Sequence, residues 1–134
     1  MPHSLLSAYL SEVEDRLERL QDGYVEQYSE EILAPQRVNL RVRIRFVPGP
    51  LLQINEALVV EDDQLLWLDY RYHCQDAKNR LIFRYDSTPH FPDLDTFPHH
   101  KHLSDRVEAA SKPSVLEAIE EAQAAGSVRD EEGA

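Results

Sequence analysis

Cysteine is almost absent. Cys74 is the only one in 134 residues, so the chain has no internal disulfide framework. No apolar run approaches the roughly 20 residues that a bilayer-spanning helix requires. The opening stretch, "MPHSLLSAYLSEVEDRLERL", mixes apolar and acidic residues. It lacks the basic start and long apolar segment of a secretory signal, so the chain reads as cytoplasmic. Neither an HExxH helix nor a paired CxxC occurs, which removes the recognised zinc motifs. Internal repeats are missing too. Cations are in deficit, with 14 Lys and Arg against 25 Asp and Glu and a net charge of −11. Such a balance argues against a protein that coats nucleic acid non-specifically.

The deficit is uneven. Residues 35–55 carry four arginines and no acid, and residues 70–84 sum to +3. Any local basic surface belongs to these two segments. The length suits one domain with a real core. Apolar residues make up 42% and charged residues 29%, as in ordinary globular domains.

Leu6, Leu10, Val13, Leu17 and Leu20 recur at three- and four-residue spacing, which predicts an amphipathic helix over 4–21, ended by Gly23. Residues 24–34 read as a strand closed by Pro35. In "RVNLRVRIRFV", 37–47, Val38, Leu40, Val42, Ile44 and Phe46 alternate with Arg37, Asn39, Arg41, Arg43 and Arg45. This is the period of a half-buried strand. Further strands are expected over 51–60, 65–74 and 80–86, and a last one over 100–110. In the third, Leu66, Leu68, Tyr70 and Tyr72 are expected on one face and Asp69, Arg71 and His73 on the other. Short turns between the strands favour an antiparallel meander. Ser114 and Glu117 form a capping box for a closing helix. The expected fold is α+β: one domain over 1–125, an antiparallel β-meander of about four to six strands, one N-terminal and one C-terminal helix covering one face, and a flexible acidic tail over 126–134.

Pairing of consecutive strands gathers Arg41, Arg43, Arg45, Asp69, Arg71, His73, Arg84 and Asp86 on one face. Arginines hold phosphates and stabilise developing negative charge, and histidine works as acid or base near neutral pH. A solvated face with Arg and Asp paired across strands is the commoner meaning of such a pattern. A second group is His90, His99, His100 and His102. In a strand His100 and His102 share a face, a spacing suited to two metal ligands, with Asp86, Asp93 or Asp95 to complete a site. An acid–base site, a rigid loop and, behind both, a metal site all fit this group. Lys101 either neutralises a phosphate or sits in solvent. Cys74 reads as a small buried hydrophobe.

The run "LIFRYDSTPHFPDLDTFPHHKH", 81–102, resembles the signature of the TumE-like toxins of toxin–antitoxin modules. The residues that carry the likeness are Arg84, Tyr85 and Asp86, then Pro89 and His90, then Thr96, Phe97, Pro98, His99, His100, Lys101 and His102. The resemblance spans roughly 35–125, with only the 22-residue run specific. It implies growth inhibition and a cognate antitoxin, commonly a helix-turn-helix DNA-binding protein. It supplies no catalytic assignment.

The leading expectation is a toxin acting as an endoribonuclease or translation inhibitor without a metal or other cofactor. Catalytic candidates are His73, Arg84, Asp86, His100 and His102. Arg41, Arg43, Arg45, Arg71, His90 and Lys101 would bind substrate, RNA or the ribosome. A non-catalytic module that binds an antitoxin or forms a homodimer is the alternative. A metal-dependent hydrolase, with His99, His100 and His102 as ligands, is the third. No membrane partner is expected.

Overall fold

The computed structural model of the chain describes residues 2–89 and 93–133, with side chains through residue 126. The element order is α1 (Ser4–Glu18), β1 (Gly23–Ala34), β2 (Arg37–Phe46), β3 (Leu51–Glu61), β4 (Gln64–Gln75), β5 (Leu81–Asp86), β6 (His100–His102), β7 (Val107–Ala109) and α2 (Val115–Gly133). All seven strands form one antiparallel sheet in chain order. The α+β meander with a helix at each end is as expected, but with more strands. The stretch 100–110 is not one strand. It folds back as β6 and β7, closed by the Leu103 amide donating to the Arg106 carbonyl at 2.8 Å. Ser104 and Asp105 supply the turn chemistry.

Helix α1 stops at Glu18, a turn short of the expected end. The Arg19 amide donates to the Arg16 carbonyl at 3.1 Å. Asp22 then takes φ 57° and swings the chain into the sheet. Gly23 does not end the helix; it opens β1. A Cβ there would meet the Arg45 carbonyl oxygen at 2.9 Å, so the close β1–β2 approach requires glycine. At the other end the capping box forms as expected. The Ser114 amide donates to Glu117 Oε1 at 3.0 Å, and the Glu117 amide donates to Ser114 Oγ at 3.1 Å. Among the described residues no helix is long and apolar enough to cross a membrane.

Both helices pack on β3 and β4 and against each other. The α1 stripe of Leu6, Leu10 and Val13 and the α2 stripe of Val115, Ala118, Ile119 and Ala122 are buried. They meet the alternating apolar side of the sheet, including Leu40, Ile54, Tyr72 and Phe83. Cys74 is buried there, as expected. The other sheet face carries the polar half of each alternation.

One bulge changes a face assignment. Ala57 pairs with Asp69 but Leu58 pairs with Trp67, so Leu68 is an extra residue. The alternation flips there. Leu66 and Leu68 are exposed, while Tyr70 and Tyr72 stay buried. Trp67 consequently turns to the helix side, and its ring meets Tyr9 edge-on at 5.4 Å.

Under α1 lies a buried carboxylate, Glu56, 3% exposed. It accepts hydrogen bonds from the Tyr9 and Tyr72 hydroxyls and from Trp67 Nε1 at 2.8 Å. Burial, then the Glu56 charge, pushes both phenols far above their ordinary range, so they remain donors. Lys112 Nζ sits 4.2 Å from the Trp67 ring centre beside this network. Removing the acceptor strands one buried and two half-buried donors, each costing about 1–3 kcal/mol where buried. Glu56→Ala is therefore expected to lower the unfolding free energy by about 3–5 kcal/mol in urea titration. A loss under about 1 kcal/mol would show that the network does not hold α1 to the sheet.

Candidate functional site: the polar face of the sheet

Strand register builds the site. Residues directly opposite in antiparallel strands project to the same side. One cross-strand row runs Arg43, Gln53, His73, Arg84, His102. The adjacent row runs Arg41, Asn55, Arg71, Asp86, His100. Eight of the eleven residues expected to bind substrate or act in catalysis thus share five strands with two amides, Gln53 and Asn55. Arg41 and Arg43 on β2 stand across the two β3 amides from β4, which carries Arg71, with Arg84 beyond it on β5.

His73 is held at both ring nitrogens. Arg84 Nε donates to Nδ1 at 3.1 Å, and Nε2 meets Gln75 Oε1 at 2.9 Å. The guanidinium can only donate and the amide oxygen only accept, so the ring is neutral with its proton on Nε2. Gln75 is fixed in turn by donating to Asn79 Oδ1 at 3.0 Å. Burial lowers the His73 pKa, and the Arg84 and Arg71 charges lower it further against the Gln75 bond. This imidazole orients Arg84.

Asp86 is buried beside two histidines. His100 Nε2 lies 2.8 Å from Asp86 Oδ1, and His102 Nε2 lies 3.7 Å from Oδ2. The Thr88 amide donates to Oδ1 at 3.1 Å. His100 is 1% exposed, and its Nδ1 donates to the Pro98 carbonyl at 2.9 Å. His102 keeps 24% of its side chain in solvent. The two rings meet edge to face at 4.7 Å. A surface hollow of about 270 Å³ opens next to them, lined by Asn55, Asp69, Tyr70, Arg71 and Thr88.

Among the described residues, none of Arg41, Arg43, Arg71 and Arg84 is ion-paired with a carboxylate. Arg43 reaches the Gln53 amide oxygen at 2.7 and 3.1 Å once that amide is turned to accept. Arg45 differs, since its Nε donates to Glu26 at 2.9 Å. Glu26 stands at a bulge in β1, between the Val25 and Gln27 pairings. Lys101 has the opposite parity from its flanking histidines and faces α2. Its Nζ lies 2.9 Å from Glu121 and 4.8 Å from the Tyr85 ring centre. His99 bonds the Tyr70 hydroxyl at 3.0 Å and stacks on that ring, and it is not in the Asp86 group. His90 lies outside the described residues.

Sequence reasoning passed over Gln53 and Asn55, which the alternation of β3 would have placed between the arginine strands. It also passed over Glu56, whose signal is an acid in the apolar phase of Leu52, Ile54, Leu58 and Val60. It expected Asp86 on an open face, yet the residue is 3% exposed.

The family model of toxin TumE matches residues 11–129. No curated protein and no solved structure matches the chain.

The locked His73 makes a measurable difference. Its folded pKa lies below the unfolded value near 6.5. The unfolded chain therefore binds the proton first on acidification. The stability this neutral ring supplies is present above pH 6.5 and lost as pH falls towards the folded pKa. By NMR the His73 ring is expected to titrate below 6.5, and Arg84→Ala should raise that midpoint. A midpoint at or above 6.5 in the wild type would contradict the neutral, locked imidazole.

Proposed function

The chain belongs to the toxin TumE family, the toxin side of a toxin–antitoxin pair, and we propose that it acts on RNA, as an endoribonuclease or an inhibitor of translation, through the polar face of its sheet. The observation that carries this reading is the field of arginines without carboxylate partners beside the Asp86–His102 pair. An unneutralised guanidinium on a chain of net charge −11 is suited to a polyanion. Arg71 and Arg84 stand opposite Asp86 and His102 by strand register, within one phosphate's reach of the acid–base group.

In this reading Arg84, oriented by His73, and Arg71 hold the scissile phosphate. His102 keeps 24% of its side chain in solvent, against 1% for His100, and takes the proton of a ribose 2′-hydroxyl. The 2′-oxygen attacks phosphorus, and the 5′-oxygen leaves with a proton from water. Arg84 and Arg71 stabilise the charge that develops on the phosphoryl oxygens. Asp86 keeps the His102 ring in place, and His100 anchors the other carboxylate oxygen. Arg41, Arg43 and the two amides extend the track for flanking phosphates. Lys101 and Arg45, each already paired, stand outside it. The target is cytoplasmic RNA, and the antitoxin, a DNA-binding protein, silences the chain by covering this face or another.

A different observation favours a non-catalytic alternative. β1 is a twelve-residue edge strand, and Ile32 and Leu33 on it are about half exposed, at 51% and 48%. Such an edge invites strand addition by an antitoxin or a second copy of the chain.

Induced expression in a bacterial host separates the two. Arrest by the wild type is expected, with relief by Arg84→Ala and His102→Ala at equal soluble level. RNA from arrested cells should show new cleavage ends or a fall in protein synthesis ahead of RNA synthesis. Arrest that survives Arg84→Ala and His102→Ala together would place the activity elsewhere, as the edge-strand alternative requires.

A further inference from the structure

We propose that Asp86, His100 and His102 form a binding site for one divalent first-row transition-metal ion of the zinc or manganese class. This goes beyond the proposed action on RNA and is argued from the side chains alone. Their ligand atoms all lie within 4.8 Å of one another. Tetrahedral coordination at about 2.0–2.2 Å sets ligand pairs about 3.3 Å apart. His100 Nε2 lies 2.8 Å from Asp86 Oδ1 and His102 Nε2 lies 3.7 Å from Oδ2, so both imidazole nitrogens face the one carboxylate.

The hydrogen-bonding pattern points the same way. His100 Nδ1 faces the Pro98 carbonyl oxygen at 2.9 Å, a group that only accepts, so Nδ1 carries a proton. In the neutral ring, Nε2 is then a lone pair. It faces a carboxylate oxygen, a second acceptor, at 2.8 Å. Two acceptors at that distance need a positive charge between them. A proton on His100 serves that one contact. One dication serves all three groups at once.

The surroundings fit a ligand set. A metal-binding imidazole ordinarily donates its other ring N–H to a carbonyl or carboxylate, which fixes the tautomer, and His100 does so. The Thr88 amide holds the carboxylate. His100 and His102 share a strand face at i, i+2, and Asp86 is supplied by the neighbouring strand in register with His100. Two imidazoles and one carboxylate select zinc, manganese or iron-like ions over magnesium and calcium, which prefer oxygen. Three protein ligands leave positions open on the side of the partly exposed His102. With the ion bound, His102 is a ligand and does not serve as the proton acceptor of the metal-free scheme.

The test uses the full chain stripped by chelator and dialysed. Zn²⁺, Mn²⁺ and, as a control, Mg²⁺ are titrated separately by calorimetry, with bound metal counted by elemental analysis. One ion of Zn²⁺ or Mn²⁺ per chain is expected and none of Mg²⁺ at equal concentration. His102→Ala should weaken binding about 100-fold or more, more than the loss typical of an outer-shell partner. His99→Ala, in which the ring removed stacks on Tyr70, should leave affinity unchanged. Binding should weaken as pH falls through the histidine range, because the ligands must be deprotonated. Asp86→Asn is a second ligand variant; its substitution is buried, so circular dichroism and thermal unfolding accompany it, and the more exposed His102→Ala carries the test where Asp86→Asn does not fold. Absence of Zn²⁺ and Mn²⁺ binding to the wild type, or binding unaltered in a folded His102→Ala, overturns the proposal. No RNA enters the measurement, so its failure and failure of the RNA reading are told apart.

Discussion

The pairing register of β4, β5 and β6 is the constraint on which the candidate site depends. Side chains alternate faces with period two, so a one-residue slip moves every polar group to the core and every core group to solvent. The register is enforced from the opposite side. Tyr72, Phe83 and Tyr85 are buried against the helices, and Tyr85 donates to Glu121 of α2 at 2.6 Å. Lys101 joins the same carboxylate group. Burial of these aromatic rings fixes β5, and β5 fixes where Arg84 and Asp86 stand relative to His73, His100 and His102. β6 is only three residues long, so its placement also needs the turn segment before it. There the Thr96 hydroxyl donates to the His99 carbonyl at 2.7 Å and accepts from the Ala110 amide at 3.0 Å.

Two of the buried carboxylates, Glu56 and Asp86, lie on opposite sides of the sheet and illustrate how donor chemistry separates structure from function. Glu56 is surrounded by two phenols and an indole. These donors do not titrate in the working range, so the carboxylate is satisfied by permanent neutral dipoles. Its work is to hold α1 and β4 together. Asp86 faces two imidazoles, a group whose chemistry includes acid, base and metal-ligand roles. The same anion, given titratable partners and an open hollow beside Arg71, becomes a chemical group. Burial alone does not distinguish them, because both are 3% exposed.

Much of this was legible because period-two patterning is a strong signal. The alternation of residues 37–47 placed Arg41 and Arg43 correctly, and the His-Lys-His triplet put His100 and His102 together. The same parity rule sends Lys101 to the far face, where Glu121 neutralises it. Other features were hidden by local breaks in the period. Leu68 is a bulge residue, and nothing in "LLWLDYRYHC" marks it, since both phases of that stretch contain large apolar side chains. Arg45 lost its freedom to Glu26 through a bulge in a neighbouring strand. The locking of His73 by Gln75 arises at another break, where the β4–β5 register shifts between Cys74 and Gln75. The hairpin at 103–106 interrupts what composition alone presents as one extended run.

The acidic chain and its arginine face are compatible for an electrostatic reason. At physiological ionic strength a surface charge is felt over roughly 8 Å, and beyond that it is screened. A net charge of −11 therefore does not cancel a local field from four guanidinium groups on β2, β4 and β5. It repels a polyanion from the rest of the surface instead. Acidic groups bound the field at its margins, with Glu26 on β1 at one side and Asp69 beside the hollow at the other. On the proposed action on RNA, a nucleic acid would meet repulsion from the acidic surface and attraction at the arginine face. Under that proposal overall acidity would narrow where a phosphate chain can dock, to the face that also carries Asp86 and His102.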